Sequence, residues 1–582
     1  MVPFVLYKFF KEPVQVFALS LFSRRGELGM FVVVLGAMTL QAVAQNNNVP
    51  LFDPPETPER YQATRINETL SINGKLDESA WQTAEKYSSF VQKEPYQQEP
   101  PSSKTEVRIL FDEKYLYIGA ICYDDLSQRK NLRVQTMQRD FNYFENDLFG
   151  IAIDGFLDKR NALAFQTTPY GAQRELQVFD DEAFNREWDA LWKVRTNITD
   201  SAWTAEFAIP WKTIRYPANA TSLGVIFTRN IRRYNEYDVM PAVPRRFFYR
   251  MSYEGLITNL QPPPPSPNIQ VNPYLFYSND QIREGNAPPQ RSGEPKVGGE
   301  VKWAMNPNSV LDATFNTDFA QADVDRQVVN LSRFSVLFPE RRQFFLEGAN
   351  IFNASVNSFI QPFFSRKIGL DENGNSIPID AGLRFTNQSS SSSAGALLMR
   401  QRSTASSPLT YFGIGRYSQN VGQQNKIGGM LTYKGLFPSE GDTTFSQVNN
   451  YTATANMFFR PSQSTTISAM VSGSSDDVKG DGIASQVWVA YQNNLMYIGL
   501  FEYFVKNYQP GAGLELFGRD YLFTGPGIDF DLRPKWLPKM IRALGPDLEA
   551  NIFHDPTQIA RALSLNLPGG GRMRKTTWLT ED

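Results

Sequence analysis

The chain has 582 residues, 20% charged and 41% hydrophobic, so it can hold several folded domains and is too apolar for a disordered chain. Its 58 Lys and Arg against 60 Asp and Glu leave a formal net charge of -2, which gives no electrostatic case for a nucleic-acid partner. A single Cys (Cys122) and a single His (His554) exclude an intramolecular disulfide and a multi-histidine metal site, and they leave no basis for a cysteine-ligated zinc or iron–sulfur cluster.

The N-terminus reads as an export signal over residues 1–44. Lys8, Lys11, Arg24 and Arg25 supply positive charge, residues 30–40 are apolar, and Ala42-Val43-Ala44 fits a small-x-small cleavage site. That apolar stretch is shorter than the ~20 residues a spanning helix needs. A polar spacer follows over 45–61. No later segment reads as a spanning helix, so any further entry into a membrane must use a closed β-barrel.

Residues 62–260 read as short strands with turn signals between them. A hairpin is expected from 106–109 to 115–121 across Asp112-Glu113-Lys114, with further strands at 149–154 and 162–167. Between Ala202 and Trp211, Trp203, Ala205, Phe207 and Ile209 share one face, and Thr204, Glu206 and Ala208 take the other. Such spacing predicts a β-sandwich. Residues 261–268 contain four consecutive prolines, an extended linker and the expected domain edge.

Beyond the linker, residues 269–582 read as a chain of hairpins. Val297, Gly299, Val301 and Trp303 form one apolar face. Leu311, Ala313 and Phe315 continue the pattern, as do Tyr451, Ala453, Ala455 and Met457, and then Ile467, Ala469 and Val471. In an exported protein this alternation fits a lipid-facing barrel with a water-filled interior, and it fits a second soluble sandwich equally well.

Two stretches carry a resemblance. The first is Gly74-Lys75-Leu76-Asp77-Glu78-Ser79-Ala80-Trp81, continued by Val107-Arg108-Ile109, Trp188-Asp189-Ala190-Leu191-Trp192 and the closing Ala205-Glu206-Phe207-Ala208-Ile209-Pro210-Trp211. In order and spacing it resembles a family 9 carbohydrate-binding-module-like domain. The second is Leu311-Asp312-Ala313-Thr314-Phe315-Asn316-Thr317-Asp318-Phe319, continued by Phe338-Pro339-Glu340-Arg341-Arg342 and Phe363-Phe364-Ser365-Arg366. It is similar to an uncharacterised barrel-type domain of bacterial outer-membrane proteins.

The resemblance implies an all-β chain: an N-terminal sandwich and a C-terminal antiparallel outer-membrane β-barrel. Around residues 316–369, Asp318, Asp323, Asp325, Arg333, Glu340, Arg341, Arg342, Glu347 and Arg366 crowd an inserted lumenal segment, where charges avoid lipid by pairing inside. The C-terminal residues lack the terminal aromatic strand of such barrels, and Pro568-Gly569-Gly570-Gly571 precedes them, so the barrel is expected to be open or incomplete.

The implied function is carbohydrate binding at the cell outer membrane, tied to polysaccharide breakdown or uptake. The implied partners are a polysaccharide or oligosaccharide and outer-membrane lipid. Sugar binding needs an aromatic platform and planar polar groups. Trp188, Trp192 and Tyr170 are the expected platforms, with Trp81 and Trp211 behind them. Arg108, Gln166 and Arg174 are the expected polar contacts, with Glu145 and Asp189. The sequence departs from sugar-binding relatives at two positions: Gly150 stands where they carry a ligand-contacting Glu, and Gln166 where they carry an Arg.

Two alternatives stay open. One is a channel or envelope-assembly protein that binds no sugar. The other is an O-glycosyl hydrolase, which needs two placed carboxylates; Asp124, Asp125, Asp180, Asp181 and Glu206 are available, with nothing marking a pair. No cofactor is called for, and calcium at Asp124-Asp125 or Asp180-Asp181 is the one cation such oxygen ligands would suit.

Overall fold

The structure is a computed structural model of the chain. It describes residues 51–580 except 69, 128–130, 180, 182, 187, 189, 265–267, 283–289, 307, 318–339, 341, 347, 371–376, 405–406, 423, 439–445, 517–519, 534–542, 555–559 and 565–575. The export signal, residues 45–50 of the spacer, Asp180, Asp189, Asp318, Asp323, Asp325, Arg333, Arg341 and Glu347 therefore lie outside the described residues. Of the chain's two compact units, one comprises residues 1–50 and 532–544, nearly all undescribed. The other comprises 51–531 and 545–582, and all that follows concerns it.

Two sheets form the sandwich. The larger runs in the order Arg60–Gln62, Gly255–Thr258, Leu223–Ile231, Leu148–Asp154, Ala162–Thr167, Gln173–Phe179, Ala183–Asn185, with Glu236–Met240 and Val91–Glu94 extending it from Leu223–Ile231. The smaller runs Lys193–Ile198, Ala202–Pro210, Tyr115–Tyr123, Thr105–Phe111, Thr64–Arg65. Trp203, Ala205, Phe207 and Ile209 point inward as their alternation requires, and meet Phe149, Ile151, Phe165 and Phe227 of the facing sheet. Both outer faces are covered as well. Trp81, Leu76 and Ile66 pack under Tyr117 and Ala208 of the smaller sheet. Phe247, Tyr249, Met251 and Tyr253 cover Ala152, Ala162 and Ala164 of the larger, where small residues let a covering segment come close. Burial on both faces explains runs such as 148–154 that do not alternate.

The opening and closing motifs meet at one carboxylate. Glu206 accepts hydrogen bonds from the Asn73 and Gly74 amides, both 2.8 Å, and from the Trp81 indole at 3.1 Å. Gly74 has a φ of +84°, and a Cβ there would come within 2.6 Å of the Thr196 backbone, so this turn requires glycine.

The second region forms a sheet of fourteen strands among the described residues, antiparallel throughout, from Asn268–Ile282 to Asp547–Glu549. It is open: the first and last strands do not pair, and the described residues form no closed barrel. The apolar alternants face outward. Leu431 is 67% exposed and Tyr451 53%, whereas the intervening Thr432 and Thr452 are buried. No helix among the described residues is long and apolar enough to cross a membrane.

The described part of the inserted segment lies on the covered face, opposite the exposed alternants. Phe344, Phe345, Ile351, Phe352 and Ile368 pack against Leu397, Met399, Phe412 and Ile414 of the sheet. Arg342 pairs with Glu340 at 2.6 Å and donates to the Ile368 and Ser365 carbonyls. Arg384 pairs with Asp312 at 2.7 Å.

Candidate functional site

The expected sugar contacts separate into three places. Gly150, Gln166, Arg174 and Thr228 are cross-strand neighbours in the larger sheet. Gln166 donates to the Tyr249 hydroxyl at 2.7 Å, Arg174 donates to the Gln166 side-chain oxygen Oε1, and the Arg174 guanidinium lies 5.8 Å from the Tyr143 ring centre. All four of these side chains are buried. Burial lowers the Arg174 pKa from its ordinary value, and nearby Tyr249 opposes that shift. This is an internal network covered by the chain's own aromatics, not an open cleft. A Cβ at position 150 would stand 2.9 Å from both Gln166 Cγ and Thr228 Oγ1, so a larger residue there must displace neighbours.

Arg108 lies in the other sheet, on the face with Trp81. It donates to the Trp81 carbonyl at 3.2 Å and stands 3.7 Å from Glu106. It is not brought to Gln166 or Arg174, because the two sheets present them from opposite layers. Trp81 and Trp211 are buried; the Trp211 indole donates to the Asp112 carbonyl at 2.8 Å. Asp181 is ion-paired to Arg250 and Arg460, Asp124 pairs with Arg233, and Asp125 accepts from Ser127, so each of these carboxylates already has partners. Among the described residues, no cluster of His, Cys, Asp or Glu could hold a metal.

The third place is the loop leading into Lys193–Ile198. Trp192 stacks on Phe207, with rings 5.6 Å apart and 7° from parallel, and it belongs to the core. Its expected platform role is corrected by that packing: one face is spent on Phe207 and the side chain is 7% exposed. Trp188 differs. It is half-buried and touches Phe165 edge-on at 6.1 Å; both it and the buried Trp192 line a cavity of about 1040 Å³. Tyr170 is 44% exposed on a turn and does not line that cavity.

Glu175 builds this loop, and sequence reasoning missed it. The carboxylate is buried, accepts from the Trp192 indole at 3.2 Å and the Ala190 amide at 3.4 Å, and pairs with Arg139. Its only sequence signal is a carboxylate at a core-facing strand position, opposite Phe165. The Thr213 hydroxyl holds the Leu191 carbonyl at 2.8 Å, leaving the Leu191 side chain 76% exposed at the cavity.

The cavity is composite. Trp188, Leu191, Gln177 and Asn161 come from the sandwich; Gln270, Lys302, Asn306 and Gln388 come from the open sheet. Lys114, Lys193 and Lys212 are exposed on its sandwich side. An aromatic face beside amides and ammonium groups is the chemistry that receives a sugar ring and its hydroxyls.

Residues 72–235 match the family described as carbohydrate family 9 binding domain-like, and residues 266–391 match a domain of unknown function, DUF5916. The chain carries a family 9-like sandwich followed by a DUF5916 domain. Two solved structures are similar over the sandwich. Both are a family 9 carbohydrate-binding module from Caldicellulosiruptor kristjanssonii, one in complex with cellotriose and one with glucose. Each is 15% identical with a TM-score of 0.26 and covers 34% of this chain, with 93% and 95% of the module covered. No curated protein matches.

Proposed function

We propose that this chain binds carbohydrate at the bacterial outer membrane, with an oligosaccharide seated in the composite cavity and Trp188 as its platform. The observation that carries the reading is the half-buried Trp188 at a cavity of about 1040 Å³, inside a sandwich that matches the family 9 binding-domain description. A pocket of this size is in the range of small-molecule sites. The module similar to this sandwich is complexed with cellotriose, so cello-oligosaccharides are the first ligands to try. Stacking with a few hydrogen bonds supports affinities on the order of millimolar to tens of micromolar. The test is titration of the detergent-solubilised full chain with cellotriose and a glycan array, beside the Trp188→Ala variant. Loss of binding with an unchanged melt supports the platform. Binding that survives the substitution sinks it.

The membrane part of the proposal is supported by the inverted exposure of the sheet. In a water-soluble sandwich the apolar alternants are buried, whereas here they are the exposed set and the threonines and serines are covered. Recovery in the carbonate-resistant outer-membrane fraction is expected; recovery as a soluble periplasmic protein rejects it. Association with polysaccharide breakdown or uptake belongs to the same proposal. A second reading, a channel or assembly protein without sugar binding, is favoured by one specific observation: the Gln166–Arg174 face is filled by Tyr143 and Tyr249.

A further inference from the structure

The open sheet has two unlike ends. At one end, consecutive strands are joined by 307–308, 389–391, 422–424, 463–464 and 493–495, each two or three residues. The remaining connection at that end, 531–546, is longer. At the other end the connections are 283–289, 318–378, 402–408, 438–447, 477–479 and 507–520, and five of these six have seven residues or more. Outer-membrane barrels show this asymmetry, with short turns on the periplasmic side and longer loops outside.

The sandwich is fastened to the short-turn end. Arg160 donates to the Asn425 carbonyl at 2.8 Å and to the Asn420 side chain at 3.2 Å. Arg250 donates to the Gln463 carbonyl at 3.0 Å, and Arg245 to the Asn494 carbonyl at 2.8 Å. Arg246 pairs with Asp529 at the end of its strand. Four arginines of the sandwich thus hold three short turns and one strand end. The linker enters at the same end, since Asn268 pairs with Ala304, two residues from the first of those turns.

We propose that the sandwich stands on the periplasmic side of the outer membrane, so that the Trp188 cavity receives its ligand from the periplasm and not from polymer at the cell surface. This rests on the membrane reading above. The cavity fits the placement, because Asn306 and Gln388 at its sheet side flank two of the short turns.

The chain offers a clean test. Its single cysteine, Cys122, is fully buried between the sheets, and burial pushes its thiol up to about 12, so it should not react with a maleimide. A cysteine introduced by Lys75→Cys marks the exposed surface of the sandwich, and Val478→Cys, at a position 73% exposed, marks the opposite end of the sheet. Each variant is treated with a membrane-impermeant maleimide, in intact cells and after permeabilising the outer membrane.

The expected result is labelling of Val478→Cys in intact cells, labelling of Lys75→Cys only after permeabilisation, and none of the parent chain in intact cells. Labelling of Lys75→Cys in intact cells overturns the orientation, and so does protection of Val478→Cys there. The carbonate wash on the same cells reads the membrane proposal separately. A carbonate-soluble chain rejects that proposal, and this one with it, whereas a carbonate-resistant chain with reversed labelling rejects the orientation alone.

Discussion

Glu206 shows how a residue that looks available for chemistry can be consumed by architecture. It accepts three N–H donors from the Asn73–Gly74 turn and Trp81, and burial still raises its pKa above the usual carboxylate value. Hydrogen bonds to a charged group contribute ~1.5–3 kcal/mol each and do not add fully. Glu206→Ala is expected to cost on the order of 3 kcal/mol, read as an earlier melt of the full chain; an unchanged melt would remove it as the link between the two motifs. Glu254 makes the opposite case. Both carboxylate oxygens are buried without a hydrogen-bond partner, and burial, then Asp154 and Asp158, push its pKa well above the usual range. A carboxyl with a raised folded pKa holds its proton more tightly folded than unfolded. Its contribution is therefore complete below the unfolded value of ~4.3 and is lost as pH rises through the folded one. Glu254→Gln should leave the melt at pH 4 nearly unchanged and raise it at pH 8. A lower melt at pH 8 would contradict this.

The loop carrying Trp188 and Trp192 separates packing from binding within five residues. Trp192→Ala removes a ring stacked on Phe207 in the core and is expected to cost ~3–5 kcal/mol. Trp188→Ala should leave the melt cooperative and remove glycan binding, and Glu175→Gln should weaken that binding by loosening the loop while Trp188 remains. Circular-dichroism melts beside ligand titrations on the three variants decide these outcomes. Trp188 and Trp192 are indistinguishable in sequence, because both precede a strand in the same aromatic run; both touch Phe165 edge-on, and only the stack of Trp192 on Phe207 sorts them. What period-two alternation governs was readable: the inward set Trp203, Ala205, Phe207 and Ile209, and the outward set Tyr451, Ala453, Ala455 and Met457. The segment from Val243 to Tyr253 was not. Its aromatics cover the larger sheet of the sandwich, and its arginines reach partners more than two hundred residues away. No local pattern marks such a two-sided strap, and it is this strap that closes the Gln166–Arg174 face.

At the scale of the whole molecule, the contact between sandwich and sheet centres on Asp181. Its carboxylate lies 2.7 Å from Arg460 of the sheet and 3.2 Å from Arg250 of the strap, and all three side chains are at most 1% exposed. Buried pairs of this kind contribute little over an apolar replacement, but removing one partner leaves a desolvated charge and costs ~3–5 kcal/mol. Asp181→Asn is the severe case, since two buried guanidiniums would then face each other with no anion between them. The substitution should loosen the docking without unfolding the sandwich, because the inter-sheet core contains none of these residues. Two signs are expected together: a melt that splits into two transitions, and faster protease cleavage within residues 261–268. Arg460→Met in the same chain removes one of the uncompensated charges and should restore part of the loss. Burial also shields the triad from counterions, so the split should persist at high salt, whereas the more exposed Arg246–Asp529 pair should weaken there. A single cooperative melt for Asp181→Asn, with the linker as resistant as in the parent chain, would mean that the turns gripped by Arg160 and Arg245 hold the two parts together without the triad.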